Sequence, residues 1–86
     1  EHPEFVDTLM VYCELLLREG RYKDAIPLAS HVLNVRKKSL SERHPDTASA
    51  FNLLGRLYYS IDDLDEAKRN LTQALYVRKT TLSENH

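Results

Sequence analysis

The amino-acid sequence repeats itself with a period of 42 residues. When the chain is shifted by that length without a gap, His2-Pro3 falls on His44-Pro45 and Val35-Arg36-Lys37 falls on Val77-Arg78-Lys79. The same shift aligns further identical residues: Leu15 with Leu57, Ala25 with Ala67, Leu33 with Leu75, Leu40-Ser41-Glu42 with Leu82-Ser83-Glu84, and His44 with His86. Such fixed-period similarity is typical of a solenoid, in which each unit buries its apolar face against its neighbours. We therefore expect one repeat over 1–42, a second over 43–84, and the start of a third at 85–86.

The first half of each repeat has the periodicity of an α-helix. In the second repeat Ala48, Phe51 and Leu54 recur at a spacing of three residues, which marks one face of a helix. Pro45 suits the first helical position, because the N–H that proline lacks has no intrahelical partner there. The pattern predicts a helix over 45–60 and, by the repeat, another over 3–18.

The second half of each repeat predicts a further helix, over 22–41 and 64–83. Asp63 and Glu66 have the spacing of a capping box at its start. In the first repeat Gly20 stands between the two helices, where it can adopt the left-handed conformation that ends a helix. The apolar stripe of the last helix consists of Leu64, Ala67, Leu71, Ala74, Leu75 and Leu82. The sequence thus predicts an all-α fold of four antiparallel helices in tandem helix-turn-helix repeats.

Small residues are placed where two helices must approach each other closely. Cys13 and Gly55 occupy this position in the first helix of each repeat, and alanines occupy it in the second helices. Alternating large and small side chains allow antiparallel helices to interlock at native packing density. The large residues expected to fill the space around them are Tyr12, Tyr22, Leu54, Tyr58 and Leu64.

The charge of the chain does not indicate a nucleic-acid or membrane partner. Lys and Arg number 12 against 13 Asp and Glu, for a net charge of -1, so no overall positive field attracts a polyanion. The basic runs 36–38 and 78–79 recur at the ends of the second helices, where they complement the negative end of the helix dipole.

The cysteine content and the apolar runs indicate the setting of the protein. With Cys13 as the only cysteine, no intramolecular disulfide can form, and we expect a cytoplasmic, reducing location. No apolar run approaches the roughly 20 residues that a transmembrane helix needs. The chain starts without Met in the middle of a motif, so we expect it to be part of a longer protein.

No constellation of residues predicts catalysis, a cofactor or a metal. His2, His44 and His86 lie one repeat apart, too far to converge on one ion, and His31 has no second ligand three or four residues away. Cys13 has no His beside it in the sequence and stands at a small-residue packing position. The sequence predicts that the chain is not an enzyme.

Several short segments share one register: His44-Pro45-Asp46, Asn52-Leu53-Leu54-Gly55, Leu57-Tyr58, Gly20-Arg21-Tyr22, Ala25-Ile26-Pro27-Leu28 and Ala74-Leu75-Tyr76-Val77-Arg78. Together they resemble the tetratricopeptide repeat, and more narrowly the 42-residue variety of kinesin light chain and nephrocystin-3-like proteins. The likeness covers the whole chain and implies a helical protein-interaction scaffold. It also implies that α-helix continues through Pro27 with a local bend, since proline is usual there in the family. Ser41, Ser83 and Asp62 depart from the family pattern by replacing its glycines.

The resemblance implies a binding surface on the concave face lined by the first helix of each repeat. A peptide segment or partner protein would contact the side chains there that point away from the paired helix. The alternative is a structural spacer or oligomerisation segment of a longer array, with self-association through the open repeat ends. The candidate partner-binding residues are Asp7, Met10, Glu14, Leu17, Arg18, Ser49, Asn52, Arg56, Tyr59 and Ser60.

Overall fold

The chain folds into four consecutive α-helices. The computed structural model describes the backbone of residues 3–84 and the side chains of residues 5–80. Its helices are α1 (Pro3–Arg18), α2 (Tyr22–Ser39), α3 (Pro45–Ser60) and α4 (Leu64–Glu84). The prediction of an all-α array of helix-turn-helix repeats is confirmed. Helix α2 ends two residues before the predicted position 41, and α4 extends one residue past 83. The expected start of a third repeat, His2 and His86 lie outside the described residues.

Each helix packs against the helices next to it in the sequence. Helix α2 lies between α1 and α3, α3 also packs against α4, and α1 contacts α3 only slightly. Within the described part of the chain no Cα atom of α1 comes within 8 Å of one in α4. The helices therefore form a short linear stack in which α1 and α4 are the two end helices.

The small residues predicted at close helix contacts do lie there. Cys13, Ala25 and Ala29 are completely buried between α1 and α2. The prediction for the large residues is wrong for Tyr12 and Leu64, which are exposed, because the faces on which they lie have no neighbouring helix. The buried apolar core consists of Val6, Met10, Cys13, Leu16, Ala25, Ala29, Val32, Leu33, Ala50, Phe51, Leu53, Leu54, Leu57 and Ala74.

Gly55 allows α3 and α4 to approach most closely. A Cβ placed on it would lie 2.5 Å from Cγ of Leu71 and 3.3 Å from the carbonyl oxygen of Ala67. In the first repeat the corresponding residues are Cys13 and Ala29. The first repeat thus pairs Cys13 with Ala29, whereas the second pairs the smaller Gly55 with the larger Leu71. The two pairs can therefore fill the same space between their helices.

Both turns within the repeats end their first helix with a residue in the left-handed region. Gly20 has a φ of 79° and Asp62 a φ of 69°. The next N–H bonds back over the turn: Arg21 N–H donates to the Leu16 carbonyl and Asp63 N–H to the Tyr58 carbonyl, both at 2.9 Å. This is the Schellman arrangement, which satisfies carbonyls at the helix end. Asp62 adopts this left-handed conformation although it lacks the conformational freedom of glycine.

The second helices begin and continue largely as predicted. The backbone N–H of Glu66 donates to the Asp63 carboxylate at 3.3 Å, which is half of a capping box. The Glu66 carboxylate lies 3.4 Å from the guanidinium of Arg69. Pro27 stands inside α2, and the helix continues past it to Ser39, as the resemblance implied.

Candidate protein-interaction surface

The junction between the repeats is fixed by hydrogen bonds around the start of α3. His44 caps the helix, since its Nδ1 accepts the N–H of Asp46 at 3.0 Å, and Pro45 takes the first helical position. The buried Thr47 hydroxyl donates to the Ser41 carbonyl at 2.7 Å. Ser41 itself has a φ of 145°, at the position where the family has glycine. The His-Pro-Asp motif is therefore a helix start, with His44 in a capping role.

Arg36 is a buried tether between three helices. From α2, it donates to the backbone carbonyl of Asp46 on α3 at 2.8 Å and to the carboxylate of Asp7 on α1 at 3.0 Å. The sequence analysis assigned the basic run 36–38 to complementing the helix dipole. That interpretation is wrong for Arg36, because α3 buries its side chain. Arg78, at the same position of the second repeat, is exposed.

Two of the candidate partner-binding residues have structural roles instead. Met10 is buried in the core, because it lies on the same face of α1 as Val6 and Cys13, so it offers no surface to a partner. Asp7 is exposed but its carboxylate is paired with Arg36. The prediction that Met10 lies on the concave binding surface is therefore wrong.

Four further candidates on α1 and α3 are Glu14, Arg18, Ser49 and Asn52. Glu14 and Arg18 are exposed on α1, near its carboxyl end. Ser49 is half-buried and its hydroxyl donates to the Pro45 carbonyl at 3.2 Å. Asn52 is half-buried on α3, one turn further along. These four side chains are not among those that line the cleft formed by the other candidates.

The remaining four candidates meet in one cleft. Leu17 from α1 and Arg56, Tyr59 and Ser60 from α3 line it together with Leu71 from α4. Its volume is about 450 Å³, and most of its lining is apolar. The sequence analysis missed Leu71 as a surface residue. The pairing of a large residue with Gly55 could have indicated that Leu71 reaches the surface, since a leucine opposite a glycine has to extend past it.

The polar groups of the cleft come from the last turns of α3. The Ser60 hydroxyl donates to the Arg56 carbonyl at 2.9 Å, so it is already engaged with the helix backbone. Arg56 is exposed and forms no ion pair with any side chain of residues 5–80. Tyr59 is also exposed. The cleft therefore combines an apolar floor with one available cation.

Comparison with known protein families agrees with an all-α helical repeat. A family profile described as tetratricopeptide repeat matches residues 5–80. The chain belongs to the tetratricopeptide-repeat family. Tetratricopeptide repeats are in general non-catalytic modules of protein–protein interaction. A comparison with curated protein sequences finds no match.

The buried cysteine of this tetratricopeptide-repeat chain is placed as a packing residue. The Cys13 Sγ lies 3.9 Å from the Ala25 carbonyl oxygen, a distance that allows a weak S–H donor contact. Burial raises the pKa of the Cys13 thiol, and the nearby charge of Glu14 raises it further. Both effects disfavour the thiolate, which is the nucleophilic form.

Among the described residues, no three His, Cys, Asp or Glu side chains lie close enough together to hold a metal ion. None of the helices over 3–84 combines the length and the apolar character needed to cross a bilayer.

Proposed function

We propose that this chain binds a peptide segment of a partner protein in the cleft between α1, α3 and α4. The observation that carries the proposal is the exposed Arg56, which has no acidic partner within residues 5–80 and stands beside an apolar cleft. Apolar clefts with a few polar groups that fix orientation are typical of ligand sites. The membership in the tetratricopeptide-repeat family supports a protein ligand.

The chemistry of the cleft favours a segment that carries an apolar side chain next to a carboxylate. Leu17, Tyr59 and Leu71 supply apolar contact, and Tyr59 adds a large rigid surface. The Arg56 guanidinium can form a charge-assisted, bidentate pair with a carboxylate. Asn52, one turn before Arg56 on α3, is placed to bond the peptide backbone if the segment runs along the helix.

The proposal also covers the catalytic activity, the narrower family and the cellular location of the chain. We infer that the chain has no catalytic activity, which the burial of Cys13 supports. The 42-residue period supports the narrower kinship with kinesin light chain, and the single buried cysteine supports a cytoplasmic location.

A peptide selection tests the proposal. A random peptide library is selected on the wild-type chain, and the enriched peptides are titrated against Arg56→Ala, Tyr59→Ala and Asn52→Ala by fluorescence anisotropy. A charge-assisted hydrogen bond contributes about 1.5–3 kcal/mol, so Arg56→Ala should weaken binding by roughly tenfold or more. Tyr59→Ala should cost a similar factor as a buried aromatic contact.

Lys38→Ala serves as the control, since Lys38 is also an exposed cation but lies at the end of α2, outside the cleft. It should leave the affinity unchanged. Equal affinity of the selected peptides for wild type, Arg56→Ala and Tyr59→Ala would rule the cleft out. Selection of peptides without acidic groups would contradict the role given to Arg56.

The second candidate function is a structural one, in which the repeats serve as a spacer or oligomerisation segment. The apolar faces left open on the end helices α1 and α4 favour it.

A further inference from the structure

Two charged residues of opposite sign occupy the same repeat position beside the cleft. Leu17 on α1 and Tyr59 on α3, which both line the cleft, are 42 residues apart and therefore equivalent in the two repeats. Glu14 and Arg56 are also 42 residues apart, and each stands one helical turn before its neighbour in the cleft. Helices α1 and α3 are in contact, and the axes of contacting helices lie about 8–10 Å apart. Glu14 therefore stands on the α1 side of the cleft and Arg56 on the α3 side.

The exposure of both side chains belongs to the repeat position. Arg56 is exposed although α3 packs against both α2 and α4. Glu14 is exposed at the equivalent position of α1. Because the same position is open on a helix that has neighbours before and after it, its opening on α1 does not depend on what precedes α1.

Neither charge is neutralised by the chain itself. Among residues 5–80 the Glu14 carboxylate and the Arg56 guanidinium form no ion pair and no hydrogen bond, with each other or with any other side chain. Asp7, by comparison, is an exposed carboxylate on the same helix that is paired with Arg36. The cleft thus has an available negative charge on one side and an available positive charge on the other.

We propose that the segment bound in this cleft carries both charges, an acidic side chain for Arg56 and a basic side chain for Glu14, on either side of an apolar residue. The inference rests on the proposed peptide binding and adds the charge pattern of the partner. An extended or polyproline II peptide advances about 3.1–3.4 Å per residue, so a gap on the order of 10 Å corresponds to about three residues. The segment crosses from α3 to α1, with its apolar side chain against Leu17 and Tyr59.

The charge pattern also determines which segments are rejected. In a uniformly acidic segment, the carboxylates beyond the one held by Arg56 approach the Glu14 carboxylate, and like charges across an interface disfavour a wrong partner. A lysine or arginine of the partner can instead cover apolar surface with its stem while its charged end reaches Glu14. Glu14 thus selects against uniformly acidic segments, and Arg56 selects against uniformly basic ones.

The test compares peptides selected from a random library on the wild-type chain, with their charged residues replaced one at a time. The enriched peptides should carry an acidic and a basic residue about two to four positions apart. Replacement of the basic residue by alanine should weaken binding to the wild type by about two- to fivefold, since exposed ion pairs contribute little. The same replacement should have no effect on binding to Glu14→Ala, because the partner of the basic residue is then absent.

Reversal of the charge on the protein should reverse the preference. Glu14→Lys should bind a peptide whose basic residue is replaced by glutamate more tightly than it binds the original peptide. Asp65→Lys is the matched control, because it makes the same charge reversal at an exposed position of α4 that does not line the cleft. It should keep the wild-type preference. Circular dichroism melting of every variant checks that the fold is retained.

The outcomes separate this inference from the peptide site on which it rests. If Arg56→Ala weakens binding but the basic residue of the peptide matters equally for wild type and Glu14→Ala, the charge pattern is wrong and the peptide site stands. Enrichment of peptides with several acidic residues and no basic one would lead to the same conclusion. If Arg56→Ala leaves the affinity of every selected peptide unchanged, the peptide site fails, and the charge pattern fails with it.

Discussion

The tether formed by Arg36 makes a prediction about the stability of the repeat junction. Replacement of Arg36 by Met keeps an apolar stem of similar length in the buried position but removes both hydrogen bonds. The bond to the Asp46 carbonyl joins a charged donor to a neutral acceptor at 2.8 Å, and such bonds contribute about 1.5–3 kcal/mol. The pair with Asp7 adds less, about 0.2–1 kcal/mol, since the Asp7 side chain is 67% exposed and screened by water.

The same chain supplies a matched control for this substitution. Arg78→Met changes the same residue type at the same repeat position, but Arg78 is exposed. Exposed substitutions of this kind usually alter the free energy of unfolding by less than about 0.5 kcal/mol. We expect Arg36→Met to lose about 2 kcal/mol, after the packing of the Met side chain is allowed for, and Arg78→Met to remain close to the wild type.

Urea denaturation of dilute protein, followed by far-ultraviolet circular dichroism, measures both values. Asp7→Asn separates the contribution of the ion pair from that of the carbonyl bond. It should lower the free energy of unfolding by less than about 1 kcal/mol, because only the exposed ion pair is lost. If Arg36→Met and Arg78→Met proved equally stable, the buried guanidinium would not hold the repeats together. If Asp7→Asn cost as much as Arg36→Met, the ion pair and not the carbonyl bond would carry the stabilisation.

Two further predictions concern the close contact of α3 with α4 and the turn between them. Gly55→Ala should destabilise by about 1 kcal/mol, because the steric cost near Leu71 of about 1–3 kcal/mol exceeds the gain in helix propensity. In a Leu71→Ala background the same change should become stabilising, and an unchanged sign in the double-mutant cycle would contradict this account. Asp62→Gly should stabilise the fold by about 0.5 kcal/mol, since Asp62 has a φ of 69°, with part of the gain offset by the greater freedom of the unfolded chain. Thermal unfolding measures it, and a lower melting temperature would show that the Asp62 side chain stabilises the turn.

The fold could be predicted from the sequence because the signals agreed with one another. The 42-residue period, the prolines at the helix starts and the small residues at the contacts all indicate the same four helices. The helix start at Pro45 is a local feature, set by capping chemistry that the neighbouring His44 determines. The carboxyl end of α2 was predicted less accurately, since the chain leaves the helix after Ser39 and Ser41 then adopts a positive φ that sequence periodicity does not indicate.

The candidate surface could be predicted only in part. Leu17, Arg56, Tyr59 and Ser60 lie together because concave positions recur with the helix period. Met10 was misplaced, since two faces of α1 are apolar and periodicity alone does not say which one a neighbour covers. The role of Arg36 depends on a carbonyl ten residues away in the next helix, and a basic residue near a helix end gives no sign of such a partner.

The position of α2 between α1 and α3 determines how the molecule should open. Within the described residues 3–84, α4 packs against α3 alone, α1 packs against α2 with only slight contact to α3, and α2 is covered on two sides. Local unfolding in stacked repeats follows such neighbour contacts, and end elements open at a lower free energy than interior ones. Backbone amides of α4 and α1 should therefore exchange with solvent through partial opening, while those of α2 exchange only when the whole chain unfolds.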